Sequence, residues 1–302
     1  MRHSNRHILA SLLFMLLAAL TACTGSGAPA ASSDKVQVVT TLPLFADFVR
    51  NVGGGRVDVT AILPPASGPE TYQPTPQDAV VISRADVIFF NGLDLEAAAI
   101  KVIQNQARRD AVRVALAEGL PVIKDEDSPG GNPHMWMDMR RAMIYVGRVR
   151  DALSQYDPAG ASVYKANAAA YLDKLDALDG EIEAQVKAIP ETQRKLVTFH
   201  DSFPYFAQRY GLKIVGVVLQ NPGSEPSAAD MATLARTLKE ENVRTVFTEV
   251  GFDPRVMALI ARDAGAQVRT LYSDALDEKV PTYMDMMRFN ARQIVEGLGG
   301  QR

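Results

Sequence analysis

The sequence predicts an α/β protein of two similar lobes, each a central parallel β-sheet flanked by helices, joined by one long backbone helix. Three observations carry this. Between Pro158 and Ile189 the only helix breakers are Gly160 and Gly180, and apolar residues recur at Tyr164, Ala168, Tyr171, Leu175, Leu178, Ile182, Val186 and Ile189. Steps of three and four repeat with one face of an α-helix, here roughly 45 Å long at ~1.5 Å per residue. On either side, short β-branched runs alternate with helical patterns, the signature of parallel sheets with right-handed crossovers. The two histidines outside the first seven residues, His134 and His200, fall one on each side of the rod.

Taken in order, residues 1–22 read as a signal peptide. Arg2 and Arg6 precede an almost unbroken apolar run over 8–20, too short to span a bilayer but right for a signal-peptide core. The run ends in Leu20-Thr21-Ala22-Cys23, which holds the only cysteine of the chain and resembles a bacterial lipoprotein processing site. That resemblance implies cleavage before Cys23 and lipid on its sulfur and new amino group; the plainer reading is a secretory signal with a chance cysteine. Cleavage removes two arginines and no acid, so the net charge moves from -3 to -5. No basic patch of the kind nucleic acid requires is left. With no second cysteine there is neither a disulfide framework nor a thiolate metal site. Residues 23–34 are small and polar, a flexible tether between lipid and domain. The protein is expected outside the cytoplasm, on a membrane surface.

The first lobe, residues 35–156, is expected to hold strands at 36–40, 57–63, 87–91 and 112–115, with helices at 44–51, 77–84 and 95–108. Residues 125–133, DEDSPGGNP, read as loop, and His134 as the start of a helix running to 153. Asp157 is the expected N-cap of the linking helix, 157–190, with Pro158 in its first turn and Pro190 as its stop. In the second lobe, 191–302, strands are expected at 195–199, 214–219, 244–248 and 268–271. Helices are expected at 203–210, 226–241, 253–264 and 280–298. The composition, 47% hydrophobic and 22% charged over 302 residues, is that of an ordinary globular protein.

Parallel sheets bind ligands beyond the carboxyl ends of their strands. The loops so placed carry Glu70, His200, Glu249 and Asp274, and the expected helix start adds His134. Two imidazoles with two or three carboxylates would suit a first-row divalent cation. On spacing alone each also has an ordinary reading: His134 as a surface or capping residue, Asp274 as a turn residue, Glu70 beside Pro69 as a solvated loop acid. Asp138, four residues beyond His134, would share its helix face and could orient the imidazole or pair locally with Arg140 or Arg141. Trp136 reads as core.

Four stretches add a resemblance: Gly68-Pro69-Glu70-Thr71-Tyr72-Gln73-Pro74-Thr75-Pro76, Asn132-Pro133-His134-Met135-Trp136-Met137-Asp138, Thr198-Phe199-His200-Asp201-Ser202-Phe203-Pro204-Tyr205-Phe206 and Glu225-Pro226-Ser227. They resemble, in order and over essentially the whole mature chain, the metal-binding solute receptors of zinc and manganese ABC importers, a family of bacterial lipoproteins. The resemblance implies a metal held by Glu70, His134, His200 and Asp274, with Glu249 behind them; Asp138 is a candidate support on its spacing alone. The family pattern around Glu70 is Asp-Pro-His-x-Tyr-Glu-Pro-Thr-Pro, so Glu70 stands where a histidine ligand is usual and Gly68 where an aspartate is. Asn132 likewise replaces the aspartate of Asp-Pro-His.

The resemblance further implies a cargo of zinc or manganese, with iron third, and closure of two lobes on it. It implies a separate ABC permease and its ATPase, since no phosphate-binding Gly-x-x-x-x-Gly-Lys-[Ser/Thr] loop occurs. The protein is expected to be a lipid-anchored monomer on the extracytoplasmic face, the periplasmic side where two membranes exist, and not an enzyme. A carboxylate at position 70 moves the preference toward manganese or iron. The histidine- and acid-rich loop frequent in zinc-specific members has no counterpart, because residues 125–133 hold three acids and no histidine. Two rivals use the same fold: a metal-dependent hydrolase, which would keep a coordination position open for water, and a surface adhesin or chelate-binding module.

Overall fold

The first half is built on β1 (Val36–Thr40), β2 (Val57–Ala61), β3 (Val87–Phe90) and β4 (Val112–Ala115), all parallel, in the order β2-β1-β3-β4. The computed structural model describes residues 35–124, 130–220 and 222–299. The expected signal peptide, Cys23, the tether to residue 34 and loop residues 125–129 lie outside these. Parallel neighbours need crossovers, which α1 (Pro43–Gly53), α2 (Pro76–Ser83) and α3 (Ala97–Gln106) help to supply. Pro43 sits in the first turn of α1, where its missing N–H costs nothing, and Gly54 ends that helix at φ 55, a conformation that favours glycine.

The link between the halves starts with α4 (Met139–Tyr156) and continues into α5 (Ala161–Lys187). Asp157 does cap, but what it caps is a 3-10 turn, Pro158–Gly160, through an acceptor for Gly160 N–H. The α-helix proper is therefore shorter than the 157–190 span read from the sequence. The apolar stripe of α5 is buried as its periodicity implies: Tyr164, Leu175, Ile182 and Val186 are all within 1% of full burial. Each such leucine or isoleucine contributes about 2 kcal/mol by leaving water.

The second half carries β5 (Lys195–His200), α6 (Pro204–Tyr210), β6 (Lys213–Leu219), α7 (Ala228–Glu240), β7 (Thr245–Glu249), α8 (Pro254–Ala264), β8 (Gln267–Leu271) and α9 (Tyr283–Gly299). Its strands pair as β5-β6 and β7-β8, both parallel, with β5 and β7 side by side. The alternation is as expected, but hydrogen bonding joins the strands in two pairs, where the first half has one four-stranded sheet.

From Lys35 onward the chain forms one unit. A single apolar cluster runs through it, from Phe45 and Phe48 on α1 through Trp136, Tyr164 and Tyr171 to Tyr283 and Met286 on α9. A second, smaller cluster, including Val197, Leu219, Leu238, Val246 and Ile260, packs α7 and α8 on the strands of the second half. No helix among the described residues is long and apolar enough to cross a membrane.

Candidate metal centre

The candidate ligands sit at the edges of regular elements or in the loops between them. His200 is the last residue of β5 and Glu249 the last of β7, so both point from the carboxyl edge of their strands. Asp274 follows the end of β8, and Glu70 lies in the loop between β2 and α2. That loop is fixed at its far end. Thr75 and Asp78 form a reciprocal capping box on α2, and Tyr72 donates its hydroxyl to Asp78 at 2.7 Å. His134 precedes a 3-10 turn, Met135–Met137, whose Trp136 is fully buried and donates its indole N–H to Ser273 O at 2.9 Å. One hydrogen bond thus ties the His134 segment of the first half to the Asp274 segment of the second.

The four side chains Glu70, His134, His200 and Asp274 converge, each offering one donor atom, all within 4.8 Å of one another. His134 Nε2 lies 3.2 Å from Glu70 Oε1, 3.3 Å from His200 Nε2 and 3.7 Å from Asp274 Oδ1. His200 Nε2 lies 3.7 Å from Asp274 Oδ2. Donors ~2.1 Å from a common centre in tetrahedral array stand about 3.4 Å apart, so this spacing is what one first-row cation needs. Glu70 Oε2 and Asp274 Oδ1 are buried without a hydrogen bond. Burying carboxylate oxygens unpaired is costly unless a cation or proton compensates.

Electrostatics point the same way. Burial pushes Asp274 up, helped by the charge of Glu70, to about 6. Burial pulls His200 down, but Glu249, Asp274 and Glu70 together raise it to about 9. Burial raises Glu70 and Glu249 too, yet the neighbouring imidazoles win and hold both below the usual carboxylate value. Without a cation, a proton on His200 offsets one of the three carboxylate charges around it.

Glu249 accepts from His200 N–H at 2.9 Å, places Oε2 2.9 Å from His200 Nδ1 and accepts from Ser202 Oγ at 2.7 Å. It holds the imidazole from behind. Asp138 has no such role toward His134. Residues 135–137 form a 3-10 turn and α4 begins only at Met139, so the two residues do not share a helix face. Asp138 instead caps α4 through Arg140 N–H and lies 3.4 Å from Arg141. The contact to His134 Nδ1, at 3.1 Å, comes from Asn132 Oδ1. In the sequence Asn132 is marked only as the first residue of the Asn-Pro-His stretch.

Residues 38–297 match the family described as zinc-uptake complex component A, periplasmic. The chain is 34% identical to a manganese-binding lipoprotein of Halalkalibacterium halodurans over 295 residues, 95% of this chain and 97% of that one. It is 31% identical to an iron ABC transporter substrate-binding lipoprotein of Streptococcus pyogenes, over 94% and 96% of the two chains. Its fold superposes on the periplasmic zinc-binding protein of Treponema pallidum with a TM-score of 0.83 at 29% identity, covering 88% of this chain and 99% of the other.

Proposed function

The chain belongs to the periplasmic zinc-uptake component A family, and from that premise we propose that it captures a divalent transition metal outside the cytoplasm and passes it to an ABC-type permease. The convergence of two imidazoles and two carboxylates, two from each half of the chain, carries this reading. Glu70 and His134 come from a first lobe, 35–156, His200 and Asp274 from a second, 191–302, with the 157–190 segment between them. The permease and its ATPase are separate proteins, and a lipid on Cys23 keeps the monomeric receptor at the membrane.

Capture fits the site better than catalysis. A metal hydrolase needs a base facing the metal-bound water, and the acid beside the cluster, Glu249, is engaged by His200 and Ser202. As cargo, manganese suits a site with two hard carboxylates, while zinc binds more tightly to almost any N/O donor set. Relatives named for manganese, iron and zinc support the class of cargo.

The test is metal content and competition between zinc and manganese in the mature protein. Changes to bound histidine partners alone cost 10–100-fold in metal affinity, so Glu70→Ala and His200→Ala are expected to weaken both metals by about 100-fold or more. Unchanged affinity in both variants would overturn the assignment.

A further inference from the structure

We propose that Asn132 is a positioning residue with two jobs: it sets the tautomer of His134, and it bolts the two histidine-bearing segments together. The inference rests on the metal-capture reading for its purpose, but the first job is a property of the protein without metal.

The orientation of the Asn132 amide follows from partners whose roles are fixed. Its Oδ1 faces the backbone N–H of His134 at 3.0 Å, which can only donate. Its Nδ2 faces the carbonyl oxygen of Asp201 at 2.6 Å and Asp201 Oδ2 at 2.9 Å. A carbonyl only accepts, so the nitrogen must lie on that side. Oδ1 is therefore an acceptor, and His134 Nδ1, 3.1 Å away, must carry the proton. In the neutral ring the other nitrogen, Nε2, is then bare and aimed at the cluster. In that neutral form Nε2 and Glu70 Oε1, 3.2 Å apart, are both acceptors, an arrangement that a cation relieves.

The second job comes from where Asp201 sits. It directly follows His200, so Asn132 joins the segment carrying one imidazole to the segment carrying the other. Tyr205, on α6, reinforces the joint by donating its hydroxyl to Asn132 O at 2.7 Å, and Asn132 N–H donates to Ile123 O at 2.8 Å. Asn132 is 1% exposed. It is the amide, not merely an acceptor, that the position uses: an aspartate could serve His134 but would face the oxygens of Asp201 with oxygen.

The two jobs separate in two variants. Asn132→Asp keeps the acceptor for His134 and removes the donor to Asp201; Asn132→Ala removes both. Long-range 1H–15N correlation spectra of the metal-free protein at pH 8 read the tautomer, and chelator-triggered stopped flow reads manganese release. The unmodified protein should show His134 protonated at Nδ1, Asn132→Asp should retain this, and Asn132→Ala should shift toward the Nε2-protonated form. Both variants should release manganese about 10-fold faster or more. A proton on Nε2 of His134 in the unmodified protein, or an unchanged tautomer in Asn132→Ala, would overturn the first job. Release within twofold of the unmodified protein in both variants would overturn the second. If manganese and zinc fail to bind at all, the functional reading falls while the tautomer result stands.

Discussion

His200 shows how a single side chain can store the proton that a metal must expel. It is fully buried, yet Glu249, Asp274 and Glu70 raise it to about 9, while Asp274 sits near 6. Between those values the metal-free site holds a proton on the imidazole and none on Asp274. A metal needs the bare Nε2 lone pair, so binding releases one proton over that window. The sign follows: affinity rises with pH, about tenfold per unit between roughly pH 6.5 and 8.5, since a tenfold change in the equilibrium accompanies each unit of proton activity. Below about 6, Asp274 also takes up a proton and the fall steepens. Calorimetry with manganese in buffers of different ionisation enthalpy should return one proton released at pH 7.5. A value near zero, or an affinity flat across the window, would show that His200 is already neutral.

At the scale of elements, α5 is held by more than its apolar stripe. Asp179, fully buried on this helix, receives Arg209 and the Tyr210 hydroxyl from α6 and Arg140 from α4. One carboxylate thus joins the helices on both sides of the link. The Arg140 side chain is 52% exposed and that of Arg209 19%, so the members of the network differ in what their removal leaves behind. Without Asp179, the arginine heads can turn to water. Without Arg209, a buried carboxylate loses its main partner. Arg209→Met is therefore expected to cost about 3 kcal/mol, more than Arg140→Met or Asp179→Leu, as read from urea midpoints of the metal-free protein. Equal costs for Arg209→Met and Arg140→Met would mean that the more exposed arginine holds Asp179 as firmly as the less exposed one.

The same helix shows what the sequence discloses and what it withholds. The stripe from Tyr164 to Ile189 repeats with period 3.6, a local property, and each of its eight residues is buried. Asp179 lies four residues after Leu175 and three before Ile182, on the same face, but periodicity does not say which distant arginines will meet it. The strand-and-helix alternation was legible for the same local reason, and the loops that carry Glu70, His200, Glu249 and Asp274 follow from the carboxyl-edge rule. The His134 segment was not. A 3-10 turn of Met-Trp-Met has the apolar composition of a helix start, and Asp138 as the cap of the next helix hid the place of Asn132, whose amide nitrogen meets a partner 69 residues away.

For the whole molecule, the contacts between the halves determine how the metal leaves. The largest apolar cluster runs without a break from α1 through α4 and α5 to α9. Polar ties cross it: Tyr283 donates its hydroxyl to Trp136 O and its N–H to Asp47, and Trp136 donates to Ser273 O. A wide hinge would have to break these buried bonds together, at about 1 kcal/mol or more each, and expose the aromatic residues between them. A second, smaller cluster, of residues on β5, β6, β7, α7 and α8, packs on the outer side of these strands and can shift as a layer. We therefore expect release through small displacements of the end of β5, which carries His200, and of the segment after β8, which carries Asp274, while the halves rotate by only a few degrees. Crystal structures of the metal-free and manganese-bound protein would decide it, with hydrogen exchange as a second readout. Amides of 201–203 and 272–276 should exchange faster on metal removal, while those of α1, α4 and α5 stay protected. A wide-angle opening between the halves, or loss of protection across α5, would show that the long helix bends as a hinge and does not act as a spine.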